Sequence, residues 1–179
     1  MILDSMGPAQ WIIIAVMLQR LLELILARRN TLRLLSEGGV EVGGKHYLPI
    51  VMLHVAWLVA LFLRTPSDVM INLWLIGFFI LLQVGRIWVI TSLGRFWTTR
   101  IITLPNAPLV TRGPYRWLRH PNYVIVAMEL AVLPLAFSDW LIALFFSLAN
   151  AFLMHFRIPA ENRILETRQT PNDEYQPNC

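Results

Sequence analysis

Apolar runs close to 20 residues long recur along this chain, and they constrain its fold more than any other feature. A helix needs about 20 mostly apolar residues to cross a hydrocarbon core. Inside lipid every backbone polar group must be paired within the protein, so such a segment is an α-helix. Five spans are predicted: Ala9 to Ala27, Tyr47 to Leu63, Val69 to Leu93, Tyr123 to Phe137 and Trp140 to Phe156. The last two are short, and only Ser138 and Asp139 separate them, which predicts a helical hairpin. The expected fold class is an all-α, multi-pass transmembrane protein. Composition agrees: 15% of residues are charged and 56% hydrophobic, against about a quarter charged in soluble domains.

The net charge of +4 would point to nucleic acid in a soluble chain. Here the arginines cluster between apolar runs, where they set topology and meet anionic lipid instead. Arg28, Arg29, Arg33 and Lys45 fall in the first connection. Arg95, Arg100, Arg112, Arg116 and Arg119 fall in the third, and Arg157, Arg163 and Arg168 follow the last span. The other side receives Arg64. The positive-inside rule then places the first and third connections and the C-terminal segment in the cytoplasm. The start of the chain lacks a basic, cleavable leader pattern, so the first run is expected to remain a span. The single cysteine, Cys179, excludes an intrachain disulfide and a cysteine metal site, and the four histidines show no metal spacing. No metal is expected.

Between the third and fourth runs lies a polar segment, residues 94–122. Four prolines break regular helix there, and interleaved Trp97, Ile101, Ile102, Tyr115 and Trp117 argue for an ordered loop. A loop of this length in a compact domain is functional or disordered. Its end, His120-Pro121-Asn122-Tyr123, admits two readings. Pro121 can simply open a helix. Alternatively Tyr115, Arg116, Arg119 and His120 converge at a helix N-terminus, which favours a carboxylate or phosphate ligand. Glu129 sits about two turns into the fourth span, where an acid is costly and faces a cavity or a partner such as Arg86 or Arg157. Arg157 and Glu161 share a helix face if the helix continues, but Pro159 stands between them. Arg20 and Glu23 at i, i+3 read as an internal ion pair, and His54 and Gln83 as hydrogen-bonded packing residues.

The run Leu109-Val110-Thr111-Arg112-Gly113-Pro114-Tyr115, then Arg119-His120-Pro121-Asn122-Tyr123, then Arg157-Ile158-Pro159-Ala160-Glu161, resembles the isoprenylcysteine carboxyl methyltransferase family in order and spacing. The resemblance covers residues 93–165. It implies S-adenosyl-methionine as cofactor, in a pocket on the cytoplasmic side. By position, Leu109, Val110, Tyr115, His120, Pro121, Asn122 and Tyr123 would line the donor pocket and Glu161 would hold the donor's amino group. Arg157 would meet the acceptor; Glu129, singled out by its depth in the fourth span and not by the resemblance, is a second catalytic candidate. The implied partition is three N-terminal spans in 1–93, a methyltransferase core in 94–166 and a polar, fraying tail in 167–179. Two departures stand out. Asn162 replaces the second acid of a pair, and the tail lacks the family's aromatic pattern apart from Asp173-Glu174-Tyr175. The chain thus resembles a short bacterial member of the inner membrane. Its partners would be membrane lipids and a lipidic small-molecule acceptor, isoprenylcysteine-like or alkylpyrone-like, rather than nucleic acid. The wider superfamily also holds phospholipid N-methyltransferases and, more distantly, nicotinamide-dependent sterol reductases. A non-catalytic lipid-binding protein is the reading from another class.

Overall fold

The computed structural model describes residues 6–42, 47–104 and 110–169. It is a bundle of five helices: α1 (Pro8–Ser36), α2 (Tyr47–Arg64), α3 (Leu73–Leu93), α4 (Pro121–Ala136) and α5 (Trp140–Gln169). Four of them are long and apolar enough to cross a membrane, and α4, with 16 residues, is shorter. The all-α membrane class read from the apolar runs holds. The expected short fifth span does not, because the apolar part of α5 reaches 20 residues.

Local signals explain where the boundaries moved. Asn72 caps α3, its side chain accepting from the backbone N–H groups of Trp74 and Leu75. That fixes the start at Leu73 rather than Val69. α1 runs past Ala27 to Ser36, because helix propensity and an Arg33–Glu37 pair at 3.0 Å carry it beyond lipid. α5 continues through Pro159 to Gln169, so Arg157 and Glu161 stand on one helix. A mid-helix proline removes one backbone hydrogen bond. Side chains on either side of Pro159 replace that loss with bonds to α4: Arg157 and Glu161 to Tyr123, and Asn162 to His120. Cys179 and the tail beyond Gln169 lie outside the described residues.

α4 packs between α3 and α5, α5 against α2, and α2 against α1. Hydrogen bonds from α1 to α3 close the ring. The core is concentrated toward the end where α1, α3 and α5 begin, around Ile13, Trp57, Leu61, Leu130 and Leu133. Leucines and phenylalanines elsewhere point outward, as lipid-facing residues do. Trp11, Trp74 and Trp140 are exposed near the starts of these three helices, where an aromatic belt would sit. That end is closed by Asn72 N–H to the Ala136 carbonyl at 2.9 Å, Gln10 to the Thr65 carbonyl at 3.3 Å, and Arg64 to Asp139 at 2.8 Å.

The opposite end carries the described parts of the polar loop, 94–104 and 110–122. The sequence reading missed a two-stranded antiparallel ladder there, β1 (Val40–Val42) with β2 (Ile101–Thr103). Strands of three residues show no periodicity. The ladder brings Glu41 to Arg100 at 2.7 Å. Short 3-10 turns at Gly94–Phe96 and Gly113–Arg116 complete the loop. Gly113 has φ +61°, and a Cβ there would lie 2.2 Å from Ser92 Oγ. Only glycine fits both conditions.

Candidate active site

The polar loop, the start of α4 and the far part of α5, together with α1, α2 and α3, line a partly open cavity of 430 Å³. That lies within the usual range of small-molecule sites. At its inner level Tyr123 is the junction. Its hydroxyl donates to the Glu161 carboxylate and accepts from Arg157 Nε at 2.9 Å. Arg157 Nη2 donates to the Thr99 carbonyl at 2.8 Å. The arginine is 8% exposed, so its orientation is set by these bonds. His120 stacks on Tyr123, ring centroids 5.3 Å apart, and its Nε2 is 2.8 Å from Asn162 Oδ1. Asn162, where the family pattern often has an acid, therefore has a partner in this chain. Burial pushes the Tyr115 phenol up, and the Glu161 carboxylate adds to the shift, so it remains a protonated donor at neutral pH.

Arg20, Glu23, His54, Arg86 and Asn150 also line the cavity, deeper in the bundle. Arg86 makes three bonds to Glu23, the shortest 2.6 Å. Arg20 bridges Glu23 at 2.9 Å and Glu129 at 2.8 Å. Glu129 further accepts from Gln83 at 2.8 Å and Arg86 at 3.2 Å. The cluster ties α1, α3 and α4 together. Desolvated ions persist in such a place only when mutually paired, and removing one partner typically costs about 3–5 kcal/mol.

Six buried side-chain polar atoms among the described residues have no hydrogen-bond partner. Four of them belong to residues lining this cavity: Arg20 Nε, Trp97 Nε1, Asn122 Oδ1 and Asn150 Oδ1. Each such atom costs about 1–3 kcal/mol unless something pairs with it. The four residues come from α1, the segment after α3, α4 and α5. A groove on the outer face of α1 adjoins the cavity and shares Leu24, Tyr47, Thr99 and Arg100 with it. Its other residues include the exposed Leu21, Ile25 and Leu32.

Residues 75–167 match the family model of the isoprenylcysteine carboxyl methyltransferase (ICMT) family, from α3 into the last turns of α5. The chain belongs to this family. It is also 33% identical over 166 residues to "Uncharacterized protein YpbQ" of Bacillus subtilis (strain 168), a match that covers 87% of this chain and 96% of that protein. The ICMT family carries a class of activity, methyl transfer at a membrane to a lipidic substrate, and the length of the Bacillus relative fits a short bacterial member.

Of the residues expected from the ICMT pattern, Val110, Tyr115, His120, Asn122, Tyr123, Arg157 and Glu161 all line the one cavity. Leu109 lies outside the described residues. Pro121 is buried in the first turn of α4, off the wall. Glu129 is also off the wall, 2% exposed, with its oxygens taken by Arg20, Arg86 and Gln83. Of its two expected partners the structure gives it Arg86 and not Arg157. Arg116 is exposed and outside the cavity, whereas Arg119 lines it. The Arg20–Glu23 ion pair is present. His54 and Gln83 are hydrogen-bonded as expected, but His54 also faces the cavity. The deep wall of Arg20, Glu23, His54, Arg86 and Asn150 was not recognised as a site from the sequence. Matching the depth of polar residues across different spans was the signal that could have found it.

Proposed function

We propose that the cavity binds S-adenosyl-methionine and a lipidic acceptor together, and that the protein methylates a carboxylate or hydroxyl of the acceptor on the cytoplasmic side of a bacterial inner membrane. One observation carries the proposal: the loop before α4, the start of α4 and the far end of α5, distant in sequence, meet through Thr99, Tyr123, Arg157 and Glu161 at one cavity.

The residues present suit that donor chemically. Glu161 offers a carboxylate for an ammonium group, and Tyr115 and Tyr123 offer aromatic faces for a cation. Asn122, which lines the cavity, offers an amide oxygen as a hydrogen-bond acceptor. When bound, the sulfonium supplies a methyl group already activated for displacement. The work left to the chain is to orient two reactants and exclude water, which can lower a barrier by about 7–11 kcal/mol. Arg157 is placed to hold an acceptor oxygen in line. Its guanidinium already shares its protons with Tyr123 and Thr99, so it positions the acceptor without masking the attacking lone pair. Glu129 acts at one remove, holding Arg20 and Arg86 in place.

The adjoining groove on α1 supports a lipidic acceptor, since its exposed leucines would contact hydrocarbon. The basic residues around the polar loop support the cytoplasmic placement of this end. A calorimetric titration of S-adenosyl-methionine into the detergent-purified protein tests the reading. Saturable binding is expected, weakened about tenfold or more by Tyr123→Ala. No binding to the folded protein would refute it.

A further inference from the structure

The 3-10 turn at Gly113–Arg116 and the residues after it have two faces. Tyr115, Arg119 and His120 line the cavity. Trp117 and Leu118, between them in sequence, lie off its wall and are exposed, Trp117 by 69%. Trp117 leans on α3, its ring 5.9 Å from that of Trp88 and tilted by 59°. Trp88 ends a stripe of outward side chains on α3, with Ile80, Leu81, Val84 and Ile87 at helical spacing. Such a stripe meets acyl chains in a membrane. Trp88 stands about 7–8 Å before the end of α3, where hydrocarbon gives way to head groups. The turn is fixed there. A Cβ on Gly113 would lie 2.2 Å from Ser92 Oγ and 3.3 Å from Trp88 Nε1, so the backbone sits directly on α3. The backbone N–H groups of Trp117 and Leu118 both donate to the Pro114 carbonyl.

Charge says what covers this patch. Residues 94–122 hold five arginines and no acid. Arg95 and Arg100 are paired with Glu37 and Glu41. Arg112 is held at the end of α3 by the Ser92 carbonyl at 3.0 Å, and Arg116 is exposed beside Trp117. Among the described residues neither has a carboxylate partner. A second copy of the chain would bring no free acid to this end from its described residues. Glu37 and Glu41 already hold arginines, and Asp68 and Asp139 lie at the closed end.

We propose that Trp88, Trp117 and Leu118, flanked by Arg112 and Arg116, bind an anionic phospholipid of the adjacent leaflet, and that its binding steadies the donor-pocket wall made by Tyr115, Arg119 and His120. The apolar side chains meet the upper acyl chain. The guanidinium groups meet the phosphate, which accepts charge-assisted hydrogen bonds. The indole N–H groups can donate to ester or phosphate oxygens. Because one short segment carries both faces, ordering its outer face orders its inner one. This coupling rests on the cavity being the donor site, whereas the lipid site itself does not.

Native mass spectrometry of the detergent-solubilised full chain, given equal amounts of phosphatidylglycerol and phosphatidylcholine, tests the site. The wild type is expected to retain phosphatidylglycerol at least about tenfold better. Arg116→Gln should lower that preference about fivefold, the worth of one basic residue near an anionic surface. Trp117→Ser should lower it about threefold. Arg29→Gln, an exposed arginine of the same end outside the patch, is the control and should leave it unchanged. No preference in the wild type, or an equal loss with Arg29→Gln, overturns the site. A dimer that Trp117→Ser dissolves would show a second copy on the patch and overturn it too. S-adenosyl-methionine is then titrated into the chain in nanodiscs of phosphatidylcholine, alone or mixed equally with phosphatidylglycerol. Binding about fivefold tighter in the mixture is expected, a gain that Arg116→Gln removes. Equal binding in both overturns the coupling. Absence of donor binding in both overturns the methyl-transfer reading and the coupling with it, while the lipid preference still decides the site.

Discussion

The two ends of the bundle are built on opposite plans. At the end where α1, α3 and α5 begin, backbone and side-chain groups pair closely and large apolar side chains fill the interior. At the other end a polar loop, a short ladder and the far part of α5 line a cavity. Among the described residues, four of the six unpaired buried polar atoms belong to residues lining that cavity. The contrast separates holding the helices together from doing chemistry. Stability should be most sensitive where ions tie spans together, and function where single groups line the cavity.

Substitutions can break that contrast, and the largest effect is expected at the buried ion cluster. Glu129→Ala leaves Arg20 and Arg86 short of a partner inside the bundle. It should destabilise the protein by about 3–5 kcal/mol, read as a lower thermal midpoint in detergent. Next is Glu161→Ala, which should weaken S-adenosyl-methionine binding by about 10- to 100-fold, the worth of a charge-assisted hydrogen bond. Its thermal midpoint should fall less than with Glu129→Ala, because it removes one bond from α5 to Tyr123 and unpairs no buried arginine. Gly113→Ala tests the loop. The left-handed backbone and the contact with Ser92 should cost about 1–3 kcal/mol, and donor binding should fall with it. The smallest effect belongs to Arg64→Ala at the closed end. Arg64 is 55% exposed, and an exposed ion pair contributes at most about 1 kcal/mol. A large loss of donor binding on that substitution would break the division between the two ends.

What the sequence disclosed follows from range. The spans were legible because each is a continuous apolar run, and Tyr115, His120, Tyr123, Arg157 and Glu161 because their spacing is a family pattern. Their meeting through one tyrosine hydroxyl was not legible, since it depends on α5 continuing past Pro159. Local rules favour a break there, and contacts to α4 override them. The β1–β2 ladder escaped for the same reason, being a pairing of residues about 60 positions apart with three residues on each side. Glu129 shows the reverse. Its burial was correctly expected from its depth, but depth alone could not tell a cavity wall from a brace behind it. Geometry decides that: Arg20, Arg86 and Gln83 occupy its oxygens.

The most direct measurement supplies S-adenosyl-methionine carrying a deuterated methyl group to bacterial membranes containing the protein, and analyses the extracted lipids by mass spectrometry. A lipid that gains one labelled methyl, present with the wild type and absent with Arg157→Ala, is the predicted result. Lipid extracts with the same labelling whether or not the folded wild-type protein is present would contradict it.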